Sequence, residues 1–148
     1  MRGRSGMFYS GAQERGNAML KSLIIAFSMY SKIPMPRVEW DEKSMRYSLC
    51  FFPFVGAVIG LCSMGCFYGM RALGMGNIAV SAVLTVLPIV INGGIHMDGF
   101  LDTMDARSSY KSQEEKLEIL KDPHTGAFAI IYGIVYLILV YGLFSEVT

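Results

Sequence analysis

A chain of 148 residues forms one domain at most, or part of one. Hydrophobic residues make up 53% of it and charged residues only 17%, whereas a soluble domain carries about 25% charged residues. The net charge of +1 and the lack of basic patches with interleaved aromatic residues argue against nucleic-acid binding. This balance indicates a membrane protein.

The chain begins with a polar stretch followed by a short apolar one. Residues 1–19 are rich in glycine and polar side chains without apolar periodicity, and we expect a flexible leader there. Residues 20–31 are apolar but too short to cross a bilayer, which predicts an interfacial or re-entrant helix. Residues 20–148 are expected to form one membrane domain.

Three later runs are each long enough to span a bilayer, which takes about 20 apolar residues. They are residues 47–70, residues 72–97 (uncharged unless His96 is protonated) and residues 123–145. The predicted fold is therefore all-α: a polytopic membrane helix bundle with three transmembrane helices and the additional N-terminal helix.

The distribution of basic residues predicts the orientation. Lysine and arginine number four in residues 1–21, four in 32–46, one in 71–77, four in 98–122 and none in 145–148. The positive-inside rule then places residues 1–46 and 98–122 in the cytoplasm and residues 71–77 outside. We expect a multi-pass protein of the cytoplasmic membrane whose active face is cytoplasmic.

Three aspartates follow the second apolar run, although acidic groups close to lipid are costly. Asp98, Asp102 and Asp105 are spaced i, i+4 and i+7, so a helix would place them within an arc of about 60°. Clustered carboxylates repel unless a cation lies between them, and hard oxygen ligands favour Mg²⁺. Gly93 and Gly94, just before, would let the backbone approach a ligand. The alternative is a solvated polar face beyond the membrane.

The loop after the aspartates contains recognisable start and stop signals. Ser112 and Glu115 have the spacing of a capping box, which predicts a short helix. Pro123 would end that helix and return the chain to the membrane surface. The loop would then bring further polar side chains to the same cytoplasmic rim: Lys121, Asp122 and His124. An ordinary amphipathic connector is the alternative.

Four ordered motifs resemble those of one enzyme family. The stretch "GGIHMDGFLDTMDA" is similar to the GGxHxDGxxDxxD motif of the cobalamin synthase family, adenosylcobinamide-GDP ribazoletransferase. Three other stretches resemble segments of the same family in the same order: "AFSMYSKIPMP", "FFPFVGAVIG" and "KLEILKDPHTGAFAI". The resemblance runs from about residue 23 to the end of the chain.

The resemblance implies a reaction and roles for individual residues. The family joins adenosylcobinamide-GDP to α-ribazole, or to its 5′-phosphate, and releases GMP. The implied Mg²⁺ ligands are Asp98, Asp102 and Asp105, which together with His96 are the implied catalytic residues. His96 would contact phosphate or accept the proton of the nucleophile. The implied substrate contacts are Lys32, Gly93, Gly94, Lys121, Asp122 and His124.

The length of the chain suggests an incomplete enzyme, and other partners and functions are possible alternatives. Family members continue through further helices, so we expect this chain to be the N-terminal part of such an enzyme and inactive alone. The expected partners are the two small-molecule substrates and the lipid bilayer, with either a second copy or a C-terminal partner half. A CDP-alcohol phosphotransferase-like enzyme is a weaker alternative, because Ala106-Arg107 comes too late for that pattern. An acid-lined transporter is another, although transport favours acids near mid-span.

Overall fold

The computed structural model describes residues 5–122 and 124–147, and the side chains of residues 16–42, 44–122 and 124–147. Every regular element in this part of the chain is a helix, which confirms the all-α prediction. The helices are α1 Ser5–Tyr30, α2 Glu42–Ser48, α3 Phe52–Ala72, α4 Asn77–Asn92, α5 Ile95–Ser108, α6 Gln113–Ile119 and α7 Ala127–Val147, with a 3₁₀ turn over Leu49–Phe51.

Two stretches are long and apolar enough to cross a membrane. They are Ser44–Ala72, which contains α3, and Ala127–Val147, which is α7. They correspond to the predicted spans 47–70 and 123–145. Helix α1 has 26 residues but is not among the candidate spans found in the described residues, in agreement with the prediction for residues 20–31. The chain is a multi-pass membrane protein.

The predicted span over residues 72–97 is not one continuous helix. Helix α4 has 16 residues and is only about 24 Å long at 1.5 Å per residue, short of the bilayer core of about 30 Å. The chain then bends by 95° into α5. Gly93 and Gly94 cause the bend, since both adopt left-handed backbone conformations, with φ of 70° and 79°. Taken together, α4 and α5 are long and apolar enough for a third, broken span or a re-entrant loop.

The N-terminal stretch is continuous with the first helix. Helix α1 begins at Ser5, so the expected flexible leader, residues 1–19, is helical in its described part and has no boundary at residue 19. No proline interrupts the chain before Pro34, and isolated glycines weaken a helix without ending it. Helix α1 ends just before Ser31, whose hydroxyl donates to the Phe27 carbonyl oxygen at 2.7 Å.

The chain divides into two compact units, one ending at Gly60 and the other beginning at Leu61. The core of the first unit contains Ala26, Phe27 and Val55. The side chain of Asp41 caps α2 by accepting a hydrogen bond from the Ser44 amide at 2.8 Å, and it pairs with Lys21 at 2.6 Å. The hydrogen bond from Lys21 is the main reason that the pKa of Asp41 falls to about 2.

In the second unit, α4 and α5 pack against α7. Towards the C-terminal end of α7, Phe144 contacts a core that includes Leu84 of α4. Nearer the N-terminal end, Phe100 of α5 contacts Tyr136, with ring centroids 5.8 Å apart. Asp105, later in α5, lies at Gly126, which directly precedes α7. Successive contacts along the broken pair α4–α5 therefore follow α7 in reverse chain order, from Phe144 to Tyr136 and Gly126.

Candidate functional site

Helix α5 carries the predicted acidic stripe, which consists of Asp98, Asp102 and Asp105. An α-helix advances by about 100° per residue, so the three side chains leave within an arc of about 60°. Asp98 and Asp102 are exposed, whereas Asp105 is partly buried. The predicted helix is present, and the catalytic and metal-binding roles of the stripe stay predictions.

The stripe and the packing face of α5 point in different directions. Phe100 and Leu101 contact α7, the latter approaching Gly133. Around the helix, Asp98 and Asp102 each lie about 160° from Phe100, and they lie about 60° and 100° from Leu101. Their carboxylates are therefore left accessible in the described part of the chain, while α5 is held by its apolar side.

Asp105 lies at the edge of the packing face and touches the start of α7. Its carboxylate group occupies the space beside the Cα atom of Gly126, where a side chain would otherwise begin. A Cβ atom at Gly126 would overlap both carboxylate oxygens of Asp105. The stripe and the loop before α7 therefore meet at this point, as expected of the loop.

The glycine pair forms the break between α4 and α5 and sets the direction of α5. The backbone N–H of Gly94 donates to the side-chain oxygen of Asn92 at 2.8 Å and to the carbonyl oxygen of Ile89 at 2.9 Å. The N–H of Gly93 donates to Val90 at 3.2 Å. Both N–H groups are therefore used within the turn. The left-handed backbone conformations explain why both residues are glycines. Their predicted substrate contacts stay predictions.

His96 lies away from the acidic stripe. Asp98 follows His96 by two positions along the helix, which corresponds to a rotation of about 200°. The exposed His96 lines a cavity of about 350 Å³ together with Asn92 of α4 and Tyr136 and Val140 of α7. A general base must lie within about 3 Å of the proton it takes, so His96 on this side of α5 does not reach a nucleophile held at the stripe. Its catalytic role stays a prediction.

The loop before α7 contains a close contact between Asp122 and His124. Asp122 accepts hydrogen bonds from the backbone N–H of His124 at 3.0 Å and has the Nδ1 atom of that residue at 2.6 Å. These two bonds, the backbone one first, hold the pKa of Asp122 below its ordinary value. Lys121 is exposed beside them.

Lys32 belongs to the first unit, where it is exposed after α1. Its substrate contact stays a prediction.

The donor chemistry of the stripe fits a hard cation, but the stripe is not a closed cage. Among the side chains that the structure describes, no three His, Cys, Asp or Glu residues converge as a metal site would require. Magnesium is usually held by one or two carboxylates together with substrate phosphates, so the accessible Asp98 and Asp102 suit an ion that arrives with a phosphate group.

Two contributors to the site had no role predicted from the sequence. Gly126 belongs to the stretch "KLEILKDPHTGAFAI", and its position directly before a long apolar helix was a visible signal. Asn92 fixes the glycine turn through its side chain, and the sequence Asn-Gly-Gly signals such a turn.

Taken together, these features define a polytopic helical membrane protein with an accessible acidic face on a bent helix pair. A family model described as cobalamin-5-phosphate synthase (CobS) matches residues 22–148. The chain belongs to this family. No solved structure matches it.

Relatives named adenosylcobinamide-GDP ribazoletransferase are similar to the same region. One from Lachnoclostridium phytofermentans is 59% identical over 129 residues, which cover 87% of this chain and 49% of the relative. Relatives from Clostridium botulinum (strain Eklund 17B / Type B) and Fusobacterium nucleatum are 39% and 32% identical over 84% and 87% of this chain, and 49% of each relative is covered. The chain spans about half the length of the curated relatives it matches.

Proposed function

We propose that this chain provides the phosphate-handling site of an adenosylcobinamide-GDP ribazoletransferase. A hydroxyl group of α-ribazole, or of its 5′-phosphate, attacks the phosphorus atom on the corrinoid side of the pyrophosphate. The new P–O bond forms as the P–O bond to GMP breaks, and GMP leaves. The hydroxyl proton passes to a base or to solvent. Family membership and the names of the relatives support this proposal.

The single observation that carries the proposal is the accessible acidic stripe on a helix fixed at both ends. The glycine break sets its start, and the contact between Asp105 and Gly126 sets its last turn. Phosphoryl transfer depends mainly on positioning and on neutralising charge, so it needs donors held in place beforehand. A row of carboxylates on a helix held at both ends is suited to hold a cation that neutralises this charge.

Magnesium is the proposed cofactor, and Asp98, Asp102 and Asp105 are its proposed ligands. When bound, Mg²⁺ would offset the negative charge of the pyrophosphate. The exposed ammonium group of Lys121 would bind phosphate oxygens as a compact positive charge. A second copy or a complementary C-terminal half would close the open side of the site.

The proposed location is the cytoplasmic membrane with the stripe on its cytoplasmic side. Eight of the thirteen basic residues lie in residues 1–46 and four in residues 98–122, which supports this orientation. Both substrates are then drawn from the cytoplasm, and the bilayer is the third partner.

The test replaces single carboxylates in a full-length family enzyme that carries residues 22–148 of this chain. Asp98→Asn and Asp102→Asn should each lower the rate of GMP release by about 10²-fold, because each removes a proposed ligand of the Mg²⁺ that would offset the negative charge of the pyrophosphate. The measurement is GMP formed from adenosylcobinamide-GDP and α-ribazole at saturating Mg²⁺.

Glu114→Gln is the matched control, since Glu114 is an exposed acid in the first turn of α6. Its rate should remain within about twofold of the parent, as expected of a surface substitution outside the site. Full activity of both aspartate variants, or full activity in excess EDTA, would contradict the proposal. Transport of corrinoid without GMP release would favour the transporter alternative.

A further inference from the structure

We propose that Gly126 is a positioning residue for Asp105. Because Gly126 has no side chain, the carboxylate of Asp105 can lie against the residue that precedes α7, and the third carboxylate of the acidic stripe is thereby held in place. The inference rests on the proposed function for its catalytic meaning, but the contact itself is a property of the chain and is tested separately.

Space, and not backbone conformation, explains why this residue is glycine. The described glycines with positive φ are Gly74, Gly93 and Gly94, and Gly126 is not among them. An alanine could therefore adopt the backbone conformation of Gly126 without strain. Its Cβ atom, however, would overlap the carboxylate carbon and both oxygens of Asp105. Any side chain at residue 126 must displace Asp105 or separate α5 from α7.

Asp105 is well placed to be held from this side. It lies on the last full turn of α5 and is partly buried, whereas the other two carboxylates of the stripe are exposed. Its carboxylate also lies at the N-terminal end of the 21-residue helix α7, where the helix dipole attracts negative charge. A carboxylate confined by packing loses less rotamer freedom when it binds a cation than a free one does.

Gly133, which lies within α7, provides a matched comparison for Gly126. A Cβ atom there would come within 3.1 Å of the Cδ2 atom of Leu101, which is the flexible end of an apolar side chain on the same helix α5. A methyl group at Gly133 therefore disturbs the α5–α7 contact without touching a carboxylate. The two glycines separate loss of packing from displacement of Asp105.

The first experiment is a double-mutant cycle on the purified chain in detergent. Gly126→Ala should lower the midpoint of thermal unfolding by about 3 °C or more, and the shift should disappear in an Asp105→Ala background, where the obstructing carboxylate is absent. If Gly126→Ala does not fold, Asp105→Ala should restore folding. The same loss in both backgrounds would overturn the contact and with it the inference.

The second experiment measures Mn²⁺ binding by electron paramagnetic resonance, with inorganic pyrophosphate present. Gly126→Ala should weaken Mn²⁺ binding about tenfold or more, as for residues that orient a metal ligand, and Gly133→Ala should leave it unchanged. Equal Mn²⁺ affinity in the parent and in Gly126→Ala would overturn the positioning role. Absence of Mn²⁺ binding in the parent would contradict the proposed cation site instead, and the unfolding cycle would still decide whether Gly126 accommodates Asp105.

Discussion

At the scale of single residues, the glycine pair between α4 and α5 has the largest consequence. Placing a residue with a side chain in the left-handed region costs about 1–2 kcal/mol, because its Cβ approaches the neighbouring carbonyl oxygen. At Gly94 a Cβ would have open space around it, so the cost of a substitution would come from the backbone alone.

This cost predicts the behaviour of Gly94→Ala. We expect the substitution to lower the free energy of unfolding by about 1–2 kcal/mol, and to reduce the helix bend that aims α5. Unfolding of the purified chain by chemical denaturant, followed by circular dichroism, measures the change.

Gly99→Ala is the control for this prediction. Gly99 lies within α5 and does not have a positive φ, and a Cβ atom added to it would meet no heavy atom of another side chain within 4 Å. Alanine there should be neutral or stabilising by up to about 1 kcal/mol, because alanine favours the helix. Equal destabilisation by the two substitutions would show that the break does not depend on the left-handed conformation.

At the scale of elements, helix α6 begins at the capping box that the sequence predicts. The predicted capping box is present: the Glu115 amide donates to the Ser112 hydroxyl at 3.4 Å, and the Ser112 amide donates to a Glu115 carboxylate oxygen at 3.0 Å. The bond from the Ser112 amide is the main reason that the pKa of Glu115 is lowered. Helix α6 has seven residues, so little else supports its start.

We therefore expect Ser112→Ala to destabilise α6 by about 1 kcal/mol, the typical cost of losing an N-cap side chain. Amide hydrogen exchange in residues 113–119 should become roughly fivefold faster, while exchange in α7 remains as in the parent. Gln113→Ala, on the exposed first residue of the same helix, should leave both rates unchanged. Faster exchange throughout the chain would contradict a purely local role for the cap.

The bent pair α4–α5 is the second feature at this scale. Its break lies beside Tyr136 and Val140, which are near the middle of α7. If α7 crosses the bilayer, the break lies near mid-membrane, and α5 with its acidic stripe runs back along the N-terminal half of α7. The aspartates are therefore not beyond the end of a straight span, and membrane proteins place broken helices of this kind where they line polar cavities.

At the scale of the whole molecule, the proposed orientation rests on charge. In the proposed topology α3, the broken pair and α7 each cross once, which places residues 71–77 on the side opposite to residues 109–122. In a variant whose three native cysteines are replaced by serine, a membrane-impermeant thiol reagent applied outside should label Gly76→Cys. The same reagent should not label Ser109→Cys until the membrane is made permeable. Labelling in the reverse order would contradict the orientation.

The sequence by itself determined the helical class, two of the spans, the capping box and the acidic stripe. These features depend on local patterns: uninterrupted apolar runs, the Ser112–Glu115 spacing, and three aspartates at helical intervals. The four ordered motifs also indicated the family that the later comparison established. Local interactions decide such features, so the order of residues along the chain is enough to predict them.

Only the tertiary structure decided that the run over residues 72–97 ends in a bend, that His96 and the acidic stripe leave α5 in different directions, and that Gly126 accommodates Asp105. The bend depends on left-handed backbone conformations at two glycines. The sequence Asn-Gly-Gly permits a turn there, but the apolar run around it fits a continuous helix equally well. The contact at Gly126 joins residues 21 positions apart and exists only because α5 packs antiparallel to α7. Helix-to-helix packing sets such relations, and no periodicity within one helix encodes them.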